Sequence, residues 1–121
     1  MQDDIQLLSS EKAQTLDFDW GSLTWYASGS LGNSSQLTVG RCRLNIGCSN
    51  PRHYHPNCSE ILVVLQGNIL HTMADGGESE MKPGDTVTVP PKVWHRATNI
   101  GQSEALLLVV FDSADRQTVG E

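Results

Sequence analysis

Residues 47–67, GCSNPRHYHPNCSEILVVLQG, contain the most informative pattern in the chain. His53 and His55 form a His-x-His pair in a segment that is expected to be extended. Because side chains alternate along a strand, both imidazoles face the same side, with their Cα atoms ~6.6 Å apart. Glu60 follows after the short Pro56-Asn57 turn, so the returning strand can bring its carboxylate to the same point.

A third histidine lies in a second informative stretch, GDTVTVPPKVWHRATN, at residues 84–99. His95 comes just after Pro90-Pro91, where another strand is expected to begin. Three neutral imidazoles and one carboxylate suit one borderline divalent transition metal, such as Zn, Fe, Mn, Ni or Cu. With four protein ligands, a six-coordinate ion would keep two positions open for water or substrate. Without a cation, the same buried groups would form a costly polar cluster.

The first stretch resembles a known family motif. Gly47, His53, His55, Glu60 and Gly67 match every defined position of the first cupin motif, G-x5-H-x-H-x3,4-E-x6-G.

The second stretch resembles the second cupin motif, G-x5-P-x-G-x2-H-x3-N, through Gly84, Pro90, His95 and Asn99. Lys92 departs from it, because the family usually has glycine at this position in the turn. The two motifs and their spacer run from residue 47 to residue 99, nearly half of the chain.

The resemblance implies a single-domain, all-β protein, a small double-stranded β-helix (jelly-roll barrel) with a metal ion in its interior. It assigns the metal to His53, His55, Glu60 and His95. Some cupins keep the barrel without the metal, but here all four ligand positions hold residues of the right type. Such a set serves cupin dioxygenases, oxalate-degrading enzymes and non-redox cupins alike, so the ligands alone do not select a reaction.

The rest of the chain is also predicted to be all-β. Turn residues recur at short intervals between runs of β-branched and apolar residues, which is typical of a sandwich or barrel. The predicted strands are 37–46, 61–65, 69–73, 86–89 and 105–111. We divide the one domain into an N-terminal arm with the first strands (1–36), the metal-binding barrel core (37–112) and a C-terminal tail (113–121).

Alternation predicts which faces are buried. Cys42, Leu44 and Ile46 should share the inward face of their strand. Residues 61–65 and 105–111 are apolar on both faces and should be central strands covered on two sides. Together with the dimers common among small cupins, this predicts a homodimer.

Composition excludes several classes of function. The 121 residues carry 8 Lys+Arg against 14 Asp+Glu, a net charge of −6, which argues against a basic nucleic-acid or membrane-binding face. No apolar run approaches the ~20 residues that span a bilayer, and the acidic start does not resemble a signal peptide. Three cysteines without a C-x-x-C pair fit reduced thiols, so we expect a cytoplasmic protein.

Two further residues are candidates for the site. His71 shares a predicted strand face with Ile69 and Met73; it is either a catalytic base near the metal, a substrate contact or a hydrogen-bonded core histidine. Asn50 matches a position where germins, a branch of the cupins, place a cavity asparagine that would bind substrate. Alternatively, it is a turn residue before Pro51.

Two functions remain open at this stage. One is a metal-dependent enzyme acting on a small polar organic molecule, by dioxygenase or by metal-assisted isomerase or lyase chemistry. The other is a non-catalytic module that binds a sugar or a carboxylate. A titratable group within reach of the open coordination positions would favour the enzyme, and a cavity lined only by apolar groups would favour the binding module.

Overall fold

The computed structural model describes residues 5–120. Over this range the chain forms eleven strands, one short 3-10 turn at Ser10–Lys12, and no α-helix. The strands are β1 (Gln14–Phe18), β2 (Gly21–Ala27), β3 (Thr38–Leu44), β4 (His53–Tyr54), β5 (Glu60–Gln66), β6 (Ile69–Thr72), β7 (Glu78–Met81), β8 (Thr86–Val89), β9 (Arg96–Asn99), β10 (Ala105–Phe111) and β11 (Val119–Gly120). The predicted all-β class is confirmed.

Six strands form the larger sheet, in the order β1-β2-β3-β10-β5-β8. All of its neighbours pair antiparallel, and β10 lies between β3 and β5. Alternation along these strands places Cys42, Leu44, Leu62, Val64 and Leu107 on the inner face, where each is buried.

The opposite layer is built from two smaller sheets, β7-β6-β9 and β11-β4. Isolated bridges from Ser49 to Thr98 and from His53 to His95 connect the β4 segment to β9. The apolar core lies between the two layers, where Leu44, Ile69 and Leu107 are fully buried. Burial of each of these side chains contributes roughly 1.5–3 kcal/mol.

Two of the predicted burial patterns are wrong. Ile46 is 59% exposed because β3 ends at Leu44 and a turn follows, in which Gly47 has a φ of +73°. The predicted two-sided coverage of residues 61–65 is absent in the single chain, because Ile61 and Leu65 are 42% and 52% exposed on the outer face. Residues 105–111 form the central strand β10, as predicted, and none of them is exposed.

The turn at Lys92 keeps the shape that glycine would favour. Lys92 has a φ of +68°, which among residues 5–120 is the only left-handed backbone outside glycine. Its amide donates to the carbonyl of His55 at 2.9 Å, which anchors the turn beside the histidine pair. Lysine in place of the glycine usual in the motif therefore adds local backbone strain without displacing the segment.

Within residues 5–120, no helix has the length and apolar character needed to cross a membrane.

Candidate metal centre

The structure brings together the four side chains that the sequence singled out. His53 opens β4, His55 follows it, Glu60 opens β5, and His95 immediately precedes β9. The main chains of His53 and His95 exchange two hydrogen bonds, of 3.0 and 2.8 Å, which hold these distant histidines side by side. One nitrogen of each imidazole and one oxygen of Glu60 lie within 4.8 Å of one another.

The Nδ1 atoms of the three histidines all have partners outside the cluster. His53 Nδ1 lies 2.7 Å from the carbonyl of Pro51, and His55 Nδ1 lies 2.9 Å from the carbonyl of Gln117. A carbonyl only accepts, so both Nδ1 atoms carry the proton and each Nε2 presents a lone pair. His95 Nδ1 lies 3.3 Å from Nε2 of His71 and has the same arrangement if it is the donor. This is how metal-binding histidines are usually oriented.

The atoms of the cluster that face one another lack hydrogen bonds from the described part of the chain. Glu60 Oε1 lies 3.2 Å from Nε2 of His55 and 3.2 Å from Nε2 of His95. Among residues 5–120, none of these three buried atoms has a hydrogen bond of acceptable geometry. Two lone pairs that face a carboxylate oxygen repel it unless a cation lies between them. The donor set therefore fits a divalent metal ion.

The charge states also suit metal binding. Burial, and then the neighbouring His95, lower the pKa of His53 to about 4, so its imidazole is neutral at pH 7. Burial raises the pKa of Glu60, whereas positive charge at the Nε2 positions of His55 and His95, supplied by protons or by a metal ion, lowers it. A neutral imidazole and an ionised carboxylate are the forms that bind a metal.

A cavity of about 290 Å³ adjoins the cluster. All four cluster residues lie on its wall, as does Asn50. Most of the remaining wall is apolar and comes from the inner face of the six-stranded sheet, including β1, β2 and the turn between them.

The two additional sequence candidates occupy different positions. Asn50 lines the cavity, and its Oδ1 accepts the backbone N–H of Ala97 at 2.9 Å. His71 is fully buried behind His95, and its Nδ1 contacts the sulfur of Met73 at 3.3 Å. It does not line the cavity. Substrate binding by Asn50 and catalysis by His71 both stay predictions.

Sequence reasoning missed three residues beside the cluster, all from the segment predicted as a tail. Gln117 bonds to His55 through its carbonyl, and Arg116 and Thr118 line the cavity. β11 then pairs with β4, with Gly120 opposite His53. No motif marks these residues, because their positions depend on a strand pairing between distant parts of the chain.

The family model described as "Cupin domain" matches residues 40–111, well over half of the chain. The chain belongs to the cupin family. The matched region contains all four residues of the cluster.

Curated relatives of this cupin include plant germins. Germin-like protein 1 of Brassica napus is 37% identical over 84 residues, covering 64% of this chain and 41% of that protein. Oxalate oxidase GF-3.8 of Triticum aestivum is 29% identical over 94 residues, covering 72% of this chain and 42% of that protein. The chain spans about two fifths of the length of such relatives.

Solved structures confirm the cupin barrel. Peruvianin-I, described as a cysteine peptidase from Thevetia peruviana latex, superposes with a TM-score of 0.80 at 26% identity, covering 94% of this chain and 77% of that one. The oxalate decarboxylase of Lactobacillus farciminis superposes with a TM-score of 0.83 at 18% identity, covering 91% of this chain and 34% of that one. At that identity the second likeness shows the fold alone.

Proposed function

We propose that this cupin binds one divalent transition metal through His53, His55, Glu60 and His95 and is a metal-dependent enzyme for a small organic molecule. One observation supports this most directly. Two buried imidazole nitrogens face one carboxylate oxygen at 3.2 Å, with no hydrogen bond among them. The cavity beside them supplies the space for a substrate.

The three-nitrogen, one-oxygen donor set accepts Zn, Fe, Mn, Ni or Cu. Manganese is the first ion to test. Mn(II) centres are named for the oxalate decarboxylase of Bacillus subtilis, which shares the fold with a TM-score of 0.81 at 21% identity. The histidines would hold the ion from the β4–β9 side, and Glu60 would hold it from β5.

The cavity wall favours chemistry at the metal over chemistry by a protein base. When bound, the ion would supply either Lewis-acid polarisation or reaction with O2. Among residues 5–120, the ionisable side chains on the wall outside the cluster are Cys42 and Arg116. Burial raises the pKa of Cys42 to about 12, and guanidinium does not deprotonate near neutral pH. An oxidoreductase reaction of dioxygenase type is therefore better supported than an isomerase or lyase reaction that needs a protein base.

A non-catalytic binding module is the second candidate. The same shortage of proton-transferring side chains favours it, because such a cavity can hold a ligand without changing it. O2 consumption by the Mn- or Fe-loaded protein with candidate substrates separates a dioxygenase from a binding module, since a binding module shows none above the free ion.

Elemental analysis of the purified protein tests the metal assignment. We expect about one equivalent of metal in the wild type and a loss of most of it in Glu60→Gln and His95→Ala. Glu78→Gln is the matched control, because Glu78 is an exposed glutamate on β7. Full metal content in both cluster variants would refute the assignment.

We also propose that two copies of the chain associate through the outer face of the six-stranded sheet. This face carries Ile61 and Leu65, with half-buried Leu106, Leu108 and Val110 beside them. An apolar row of this kind is typical of an interface.

A further inference from the structure

Arg116 is a cation held within the aromatic wall of the cavity. Its guanidinium carbon lies 4.4 Å from the ring centre of Trp25 and 5.3 Å from that of Phe111. Its Nη1 donates a hydrogen bond to Thr118 Oγ1. These contacts fix a side chain that is otherwise long and mobile, so the charge is held in a defined place.

The same contacts link Arg116 to the metal cluster. Thr118 Oγ1 lies 3.2 Å from Nδ1 of His55. The ring of Phe111 packs edge-on against the ring of His55, with 4.8 Å between their centres. Arg116 is therefore separated from His55 by a single side chain along either route, and all four residues line one cavity.

Within the described part of the chain, the charge of Arg116 is not balanced by a direct partner. Among residues 5–120, no carboxylate oxygen lies within 4.0 Å of its guanidinium in an ion pair, and its one side-chain hydrogen bond goes to neutral Thr118. Burial lowers the pKa of Arg116, although Glu60 acts in the opposite direction. A divalent ion beside Glu60 would leave the cavity with a net positive charge, in a protein whose overall charge is −6.

The rest of the cavity suits an apolar body. Phe18, Trp20, Trp25 and Phe111 supply aromatic walls, and Leu107 and Val109 lie beside them. Phe18 and Trp20 stack with 4.9 Å between ring centres, and Phe18 is 43% exposed, which places this pair where the cavity meets solvent. At roughly 30 Å³ per water-sized group, the volume of about 290 Å³ has room for about ten such groups, against the six heavy atoms of oxalate.

We propose that the cavity binds an organic acid with one carboxylate and an aromatic or aliphatic body, and that Arg116 pairs with the carboxylate. The body then packs against the aromatic wall between Arg116 and the cluster. A guanidinium edge offers two parallel N–H donors to a carboxylate, which gives both affinity and orientation. A role for this acid as the substrate rests on the proposed function, whereas its binding in the cavity does not. The small dianion oxalate lacks the body that this wall would contact.

Binding of three probes to the full chain tests this specificity. Phenylacetate carries the acid and the apolar body, phenylacetamide lacks the charge, and oxalate lacks the body. Trp20 and Trp25 line the cavity, so quenching of tryptophan fluorescence reports binding in both the metal-free and the Mn(II)-loaded protein. We expect phenylacetate to bind at least tenfold more tightly than either of the other probes. Equal affinities for phenylacetate and phenylacetamide, or tighter binding of oxalate, would overturn the proposal.

Arg116→Gln tests the anchor itself. It should reduce the preference for phenylacetate over phenylacetamide to threefold or less, with the amide's affinity nearly unchanged. Arg96→Gln is the matched control, because Arg96 is an exposed arginine on β9, and it should keep the wild-type preference. Arg116→Lys keeps the positive charge but lacks the two parallel N–H donors of the guanidinium. It should give an intermediate preference for phenylacetate over phenylacetamide. A full preference in folded Arg116→Gln would overturn the role of Arg116. If that variant does not fold, the comparison of probes on the wild type still decides the proposal.

The metal content of the same samples separates the two proposals. Metal bound without any preference for the acid overturns this inference and leaves the proposed function standing. A preference for the acid in a protein that never acquires metal supports this inference and overturns the proposed function.

Discussion

His71→Phe should weaken metal binding although His71 does not belong to the cluster. His71 is 0% exposed, and its Nε2 lies 3.3 Å from Nδ1 of His95. As an acceptor it keeps the proton of His95 on Nδ1 and leaves Nε2 free for the ion. Phenylalanine has a similar shape but accepts no hydrogen bond, so the buried N–H of His95 would lose its partner.

Two general magnitudes agree on the size of this effect. An unsatisfied buried donor costs about 1–3 kcal/mol. Loss of a partner that orients a metal ligand typically weakens metal binding by about 10–100-fold, which corresponds to roughly 1.4–2.7 kcal/mol. We therefore expect the Kd for Zn²⁺ to rise by about 10–100-fold, with full occupancy still reached at saturating metal.

Competition with a chromophoric chelator measures this Kd, and circular dichroism checks that the variant keeps its fold. His71→Gln is the matched rescue, because its side-chain carbonyl can replace Nε2 as acceptor; it should return the Kd most of the way to the wild-type value. A folded His71→Phe protein with a Kd within threefold of wild type would show that His71 merely fills the core.

Three further predictions concern stability, thiols and assembly. Lys92→Gly should raise the Tm by about 2–4 °C in calorimetry, because relief of about 1–2 kcal/mol of left-handed strain exceeds the added freedom of glycine in the unfolded chain; an unchanged or lower Tm would contradict the strain at this turn. In the native protein a maleimide should label half-buried Cys48 first, whereas Cys42 and Cys58, at 3% and 2% exposure, should react only after unfolding. Mass spectrometry of the labelled peptides checks this order, and early labelling of Cys42 would show that its surroundings open easily. Leu108→Asp should convert a dimer into a monomer in light scattering while metal content stays unchanged; a wild-type monomer at micromolar concentration would end the proposal of a dimer.

Sequence patterns predicted the parts of the molecule that depend on residues close together in the sequence. Strand β8 at Thr86–Val89 and strand β10 at Ala105–Phe111 have the predicted bounds, because runs of β-branched and apolar residues between turns strongly favour strands. Alternation placed His71 on the inward face of β6, and it is buried. The spacing of the histidines and Glu60 identified four side chains that converge.

The sequence did not predict a polar edge strand, nor the features that depend on pairing between distant segments. β7 was missed because Glu78, Ser79 and Glu80 lie exposed on an edge strand without an apolar face. That His71 lies behind His95 follows from the pairing of β6 with β9, which no local pattern shows. The position of Arg116 in the cavity wall depends in the same way on the pairing of β11 with β4.

The four cluster residues come from both layers of the barrel. Glu60 belongs to the six-stranded sheet, whereas His53 and His95 are joined to each other in the opposite layer. An ion held between them would act as a cross-link that closes the long loop from residue 60 to residue 95 and restrains separation of the layers. Without that ion the layers would part more often and expose the chain to proteases, so the supply of metal would also set how long the protein persists in a cell.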